Sequence, residues 1–576
     1  MWKAAALAAV LWSAPALSAA SGQAPAAAGD FLRAHDGQIV DGTGRPVVLR
    51  GMGLGGWMLR EGYMLDAGGL TQRVMRRKMA ELIGPEATAA FDAAWLDNFV
   101  TKADVDALAA AGFNSVRLPM HYELLTPSVE DEPVKGRNTW KEAGFRRIDA
   151  LLAWCKANNL YLILDLHAAP GGQGNDLPIA DRDPATPSFW ESAADQEKMV
   201  ALWGEIARRY KDEPYVAAYD LLNEPNWDLD GSGDAHGCKV RDNAPLVALY
   251  KRATAAVRRA DPNHLLIIEG NCWGNNYAGV VPDWDANVAL SFHRYWVRPG
   301  RAAIRDVLAL RARYGLPVWL GESGENSNDW YAAMVETVEG EGIGWAWWTL
   351  KKVGFSSPLQ IRPDPGVRRV TDYWLGKGPR PSREDARAAL MRLATHDVRF
   401  EHNERHPDVV YALLRAPGDP SSAPYGEHAI GPAGGRVLAA DYDMGRNGVA
   451  YFDHTAADYH VSDGGPPARW NDGGVYRNDG VDLARDAGGT PYVSALDAGE
   501  WLRFTVTSPG GAYRLRVSDA GGAPADVSVV LNGAAVAGGP AGPTVTLLPG
   551  RNTLVLRSGR DGVSLRALEF QPTARQ

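Results

Sequence analysis

An α/β fold, a (β/α)8 TIM barrel followed by a C-terminal all-β, jelly-roll-like sandwich, is what this sequence predicts on three observations. Between Phe31 and about Arg415, short apolar runs alternate with amphipathic helical patterns, and eight runs can be counted. From Arg436 the texture changes to short alternating strands separated by glycine and proline turns. At 576 residues the chain exceeds one ordinary core, so more than one domain is expected.

The eight runs are Val48 to Met52, Ser115 to Met120, Tyr161 to His167, Val216 to Asn223, Leu265 to Glu269, Val288 to Tyr295, Val318 to Glu322 and Gly344 to Thr349. Helical patterns between them include Val105 to Ala111, Phe145 to Ala157, Gln196 to Tyr210, Leu246 to Ala260 and Ala303 to Tyr314. Near-continuous apolar strands belong to parallel sheets covered by helices. An open doubly wound sheet is the alternative, and Gly51-Met52-Gly53-Leu54-Gly55-Gly56 satisfies the GxGxxG pattern of nucleotide binding. That fingerprint needs a helix directly behind it, whereas Trp57 to Gly62 is broken by glycine, so a barrel-rim turn is expected. Upstream, Gln38 to Val48 alternates around a turn and predicts a hairpin on the barrel floor.

With 45% hydrophobic and 22% charged residues and a net charge of -9, the chain reads as soluble and globular, without the basic patch a nucleic-acid partner requires. Residues 1-20 (Met1-Trp2-Lys3, an apolar stretch to Leu17, then small residues) read as a secretory signal, so a secreted or periplasmic protein is expected. No later segment is apolar for long enough to span a membrane, and a monomer is expected. Of three cysteines, Cys155 sits in a helical pattern. Cys238 and Cys272 fall in loops on one face of the fold, where pairing in an oxidising compartment is open to them. No spacing suggests a metal site, and no cofactor is expected.

In a barrel the C-terminal strand ends carry the chemistry. Here they bring Arg117 and His121, Asp165 and His167, Asn223-Glu224, His293 and Tyr295, Glu322, and Trp345, Trp347 and Trp348 to one level. Sixteen of the twenty tryptophans lie between Trp57 and Trp374, and tryptophan at a rim stacks on pyranose rings, which makes sugar the natural ligand. Two glutamates delivered to one cleft are the minimum equipment for cleaving a glycosidic bond.

The runs Asp165-Leu166-His167, Leu222-Asn223-Glu224-Pro225, His293-Arg294-Tyr295 and Gly321-Glu322-Ser323, in this order, resemble family 5 of the glycoside hydrolases. The resemblance implies that Glu224 is the acid/base and Glu322 the nucleophile of a retaining reaction. It further implies that Asn223 binds the sugar 2-hydroxyl, Arg117 and Tyr295 hold Glu322, His167 and His293 line the cleft, and Trp348 stacks beneath the reacting sugar. A retaining reaction needs carboxyl groups about 5 to 5.5 Å apart. Arg50 to Trp57 and Asp165 to Gln173 also resemble the branch that contains β-1,3-glucanases. A β-glucan substrate is therefore expected, endo-β-1,4 action first and β-1,3 or another β-glycan as alternatives. A catalytically silent glycan-binding protein is the rival of another class.

The barrel is expected over 31-415, a linker over 416-435 and the sandwich over 436-572. Trp470 to Asp482 and Ala498 to Leu502 resemble family 6 carbohydrate-binding modules. Leu438, Ala440 and Arg566 stand where such modules carry acidic calcium ligands, so that metal site is not expected. Trp470 and Tyr476 are the candidate sugar platforms, with sandwich core as the alternative role for both.

Overall fold

A computed structural model of the protein describes residues 31–537 and 542–573, so the expected signal segment lies outside the described residues. Eight parallel strands close into a barrel: β1 Arg50–Gly53, β2 Ser115–His121, β3 Tyr161–Ala168, β4 Val216–Asp220, β5 Leu265–Glu269, β6 Val288–Arg294, β7 Val318–Gly324 and β8 Trp345–Trp348, with β8 pairing β1. Where Val216 to Asn223 predicts one strand, regular pairing of β4 stops at Asp220; Leu221 N and Asn223 N still donate to Ile267 O and Leu166 O of the flanking strands, and Glu224 turns into the left-handed region at φ 43°.

Alternation along these strands decides what fills the barrel. Ile163, Ala218, Ile267, Ala289, Trp319 and Ala346 belong to one buried apolar cluster at the centre. Two residues further along β3, β4 and β5 the same inward positions are Asp165, Asp220 and Glu269, all fully buried. The apolar tier is thus a floor, and the charged tier above it is the site. The eighth strand separates its tryptophans by the same rule. Trp345 and Trp347 pack against each other, with Trp347 also on Trp330 and Tyr331, whereas Trp348 reaches the cleft. Burying such a ring contributes roughly 4–6 kcal/mol before entropy.

Two extra helices, Gln72–Ile83 and Pro85–Asn98, enlarge the loop after β1. Two turns form on the barrel floor: Arg33–His35 pairs Gln38–Val40 around Asp36-Gly37, and the expected turn at Thr43-Gly44 is closed by the Val40 to Pro46 bridge, with Asp41 N donating to Arg45 O at 2.9 Å and Val47 N to Ile39 O at 2.8 Å. Asp36 at φ 47° and Gly37 at φ 72° supply the positive angles that a tight hairpin requires. Cys238 and Cys272 are bonded to each other, joining the loop after β4 to the turn after β5.

The second domain is built on β9 Gly435–Leu438, β10 Trp501–Ser518, β11 Val527–Leu531, β12 Thr544–Ser558 and β13 Ala567–Pro572. Sequence alternation predicts separate strands at Trp501 to Val506 and Tyr513 to Val517, yet both lie in the single strand β10, paired with β12 from Trp501 to Arg514. The first half of β10 also pairs Tyr451–Phe452 and the second half pairs β13. Side chains from both halves, including Leu502, Phe504, Leu515, Leu554 and Phe570, share one apolar cluster. The stretch 416–435, expected as a linker, is laid onto this domain: Ala423 N donates to Met444 O at 2.9 Å, and Ile430 is buried in the same cluster. Among the described residues, no helix is long and apolar enough to cross a membrane.

The disulfide closes a sequence separation of 34 residues, a constraint on the unfolded chain that contributes about 3 kcal/mol. The double substitution Cys238→Ser/Cys272→Ser is expected to lower the unfolding free energy by about that amount in urea titrations. An unchanged midpoint would show that the bond constrains nothing.

Candidate active site

Arg117, midway along β2 and fully buried, is the centre of the charged tier. Its Nη1 donates to Glu322 Oε2 at 2.9 Å. Its Nη2 donates to Asp220 Oδ2 at 2.9 Å, Asn223 Oδ1 at 2.8 Å and Glu269 Oε1 at 3.1 Å, and lies 3.3 Å from Asp165 Oδ2. One guanidinium thus faces four carboxyl groups from β3, β4, β5 and β7. Burial pushes Asp165 and Asp220 well above the ordinary carboxylate range, and Arg117 only partly opposes it. Glu269 goes the other way: burial alone would raise it, but His293 and Arg117 outweigh burial and hold it below its usual value.

Glu322 has both oxygens fixed, Oε2 by Arg117 and Oε1 by the Tyr295 hydroxyl at 2.8 Å. Glu224 is held differently. Its backbone N–H donates to Glu269 Oε2 at 2.7 Å, which stabilises a residue in a left-handed conformation that costs about 1–3 kcal/mol. Its Oε1 accepts from His293 Nδ1 at 2.6 Å, and His293 Nε2 lies 3.3 Å from Glu269. Burial pulls His293 down, but Glu269, Glu322 and Glu224 outweigh it, so the ring is held protonated well above its usual range. Burial pushes Glu224 up to about 7, with the negative charges of Glu322 and Glu269 adding to the shift and His293 opposing it. An oxygen of Glu224, a nitrogen of His293 and an oxygen of Glu322 all lie within 4.8 Å of one another. Three such groups are close enough to hold a metal ion, but a protonated imidazole is not a ligand.

His167 Nδ1 is 2.8 Å from Asp165 Oδ2, and its Nε2 accepts from Asn223 Nδ2 at 3.3 Å. Burial pulls this ring down to about 3, so it is neutral. Gln173 ties the two loops beneath by donating to His167 O at 2.7 Å and Asn223 O at 2.8 Å. Trp348 lies parallel to His167, centroids 5.3 Å apart and 3° between planes, and its Nε1 donates to the Tyr63 hydroxyl at 2.7 Å.

The GxGxxG-like turn now has a physical reason. A Cβ on Gly55 would stand 2.4 Å from the Trp348 ring, and one on Gly53 would stand 2.9 Å from it. The glycines clear the floor on which Trp348 lies. Glu61 closes the same corner, 3.9 Å from His167 Nε2, and burial first, then Glu322 and Glu224, push its carboxyl well up.

All eight residues expected in the cleft are therefore brought together by direct bonds or ring contacts. Glu269, Asp220, Gln173, Glu61 and Tyr63 were not singled out by sequence reasoning. Glu269 carried a readable signal, since it ends the fifth apolar run as Glu322 ends the seventh; Glu61 and Tyr63 sit in an irregular loop and carried none. Trp470 and Tyr476 are half-buried and partnered. Trp470 packs 6.0 Å from Phe355 of the barrel, and the Tyr476 hydroxyl donates to Asp441 at 2.6 Å while its ring meets Tyr425.

Residues 78–354, most of the barrel, match the family model Cellulase (glycosyl hydrolase family 5). Over those residues the barrel is similar to the glycosyl hydrolase family 5 model. The protein is an enzyme of the glycoside hydrolase class. The chain is similar to a β-xylosidase of Phanerodontia chrysosporium, 28% identical over 66% of this chain and 86% of that protein. Endoglucanase C of Acetivibrio thermocellus is 31% identical over 34% of this chain and 51% of its own length. A probable glucan 1,3-β-glucosidase A of Aspergillus niger is 28% identical over 43% of this chain and 56% of its own. The chain thus spans about half the length of the latter two.

Removing the central cation leaves buried carboxyl groups uncompensated, a loss of about 3–5 kcal/mol. Arg117→Met is therefore expected to destabilise the protein. Carboxyl groups held above their unfolded values stabilise the fold below about pH 4 and lose that contribution as pH rises through the folded values. The deficit should accordingly be larger at pH 8 than at pH 5 in paired denaturation curves. An equal deficit at both would refute the charge account.

Proposed function

We propose that the protein is an exported retaining β-glycosidase with Glu322 as nucleophile and Glu224 as acid/base. The observation that carries this reading is the pair itself: two carboxyl groups whose oxygens come within 4.8 Å, one fixed by two donors, the other pushed up to about 7. Inverting enzymes need roughly 6.5–9.5 Å between carboxyl groups to admit a water.

In the first step a Glu322 oxygen bonds to the anomeric carbon while the glycosidic C–O bond breaks, and the Glu224 proton goes to the leaving oxygen. Esterified Glu322 has lost its negative charge, and one of the influences raising Glu224 goes with it. Glu224, still bonded to His293, then takes a proton from water as the water oxygen displaces Glu322. Asn223, held by Arg117, is assigned the sugar 2-hydroxyl, and Trp348 the apolar face of the reacting ring.

For the substrate we propose a β-glucan, with endo-β-1,4 cleavage first and β-1,3 cleavage next. One observation favours a second reading, release of a single sugar from a chain end. Glu224 and Glu322 are only 5% and 6% exposed, the enclosure a terminal residue suits, and the relative matched over 86% of its length is a β-xylosidase. A panel of β-1,4, β-1,3 and mixed-linkage glucans, mannan and aryl β-glycosides, with product lengths measured, separates the readings. Monosaccharide as the sole early product would exclude endo action.

Cleavage requires the Glu224 proton, so kcat/KM is expected to fall about tenfold per pH unit above roughly pH 7. Glu224→Gln should lower activity about 10²–10⁴-fold and abolish that basic limb. A limb persisting in the variant would assign the acid to another group. Glu322→Gln should abolish turnover with the melting temperature retained, and residual wild-type activity would refute its role.

A further inference from the structure

The C-terminal domain touches the barrel on its catalytic rim, through the loops that leave β6, β7 and β8. After β6, Trp296 O accepts from Val461 N at 3.2 Å, its ring lies 5.1 Å from that of His460, and Arg298 pairs with Asp463 at 2.6 Å. After β8, Phe355 meets Trp470. After β7 the grip is closest. Asn326, fully buried, donates through Nδ2 to Asp458 O at 2.7 Å and accepts at Oδ1 from Asp458 N at 3.0 Å. Its backbone oxygen accepts from Asn478 Nδ2 at 2.8 Å, and Asn328 N donates to Asn478 O at 2.8 Å.

These contacts lie one bond network away from the chemistry. Asn326 follows Glu322 by four residues, Trp296 follows the tyrosine that holds Glu322, and Trp296 Nε1 donates to Glu325 O at 3.0 Å, joining the two loops. Glu325 stands at φ 55° between the end of β7 and the helix Asn328–Glu339. The barrel holds this turn through Trp296 and Lys352 on Glu325 and the Tyr331 hydroxyl on Asn326 N, and the other domain supplies the bonds to the Asn326 side chain, Asn326 O and Asn328 N.

We propose that the C-terminal domain is a clamp on the Glu322 and Tyr295–Trp296 loops, with Asn478 and Asn326 as positioning residues, rather than a separable glycan-binding module. This rests on the reading of Glu322 as the nucleophile. A displacement near 1 Å at a reacting group costs about 10²-fold in rate, whereas substrate affinity, set elsewhere in the cleft, is little changed.

The test compares full-length Asn478→Ala and Asn326→Ala with Arg446→Ala. Arg446 also crosses the interface, but its bonds are to the helix side chains of Asp329 and Glu336, beyond the 322–328 segment. Expected for the two asparagine variants is a kcat lowered about 10- to 100-fold with KM within about twofold, and faster hydrogen exchange over residues 322–328. Arg446→Ala should lower the melting temperature while kcat stays at the wild-type value. Should Asn478→Ala fail to fold, Asn478→Asp keeps the size, removes the donor and gives the same readouts. Unchanged kcat in the asparagine variants, or an equal loss in Arg446→Ala, overturns the clamp. If the wild type cleaves no glycan, the functional reading fails separately. Exchange over 322–328 then decides alone, unchanged exchange in Asn478→Ala overturning the proposal and faster exchange supporting it.

Discussion

One buried guanidinium sets the terms for this site. Arg117 is the cation that allows Asp165, Asp220, Glu269 and Glu322 to share the interior of the barrel, and no two of those carboxyl groups come from the same strand. Desolvating four carboxylates beside one cation is not sustainable with all of them charged. The structure eases the conflict by dividing them: burial raises the proton affinity of Asp165 and Asp220, whereas His293 and Arg117 lower that of Glu269. The register of four strands is therefore coupled to a single side chain, because moving any one by a residue would turn its carboxyl group out of the barrel.

The difference between Glu224 and Glu322 follows from that division. Glu322 is on the guanidinium and is oriented by it. Glu224 touches Arg117 only indirectly, through Glu269, which bonds its backbone, and through His293, which bonds its side chain. It consequently experiences burial and neighbouring negative charge more than it experiences the cation, and its proton affinity rises. Two identical side chains thus acquire opposite roles from where the same cation reaches.

Most of this was legible in the amino-acid order because barrel geometry is repetitive. An apolar run that ends in a polar residue marks both a strand and the level of the site, and eight such runs gave the barrel with ends within a few residues. What the pattern could not carry was conformation outside the strands. The end of β4 was placed too late because Leu221 and Leu222 continue the apolar run past the regular strand pairing, although Leu221 and Asn223 still bond the flanking strands. On the floor, Asp36-Gly37 and Thr43-Gly44 are both turn signals and both turns form, of which only the second was expected. Glu61 and Tyr63 were invisible in a loop without period. The strand pairs of the second domain were read as separate because glycine and proline at 509–511 mimic a turn, whereas β10 passes straight through them.

The second domain changes character when seen against the barrel. Trp470 and Tyr476, the candidate sugar platforms, are half-buried and touch Phe355, Asp441 and Tyr425, and the interface between the domains reaches the loops bearing Glu322 and Tyr295. The central claim nevertheless stands on the two glutamates and their short separation, and the stereochemistry of the reaction reports on it directly. Proton NMR of the first-formed product, recorded before mutarotation on whichever β-glycoside is cleaved, should show the β-anomer, as double displacement through Glu322 requires. An α-anomer appearing first would contradict the account.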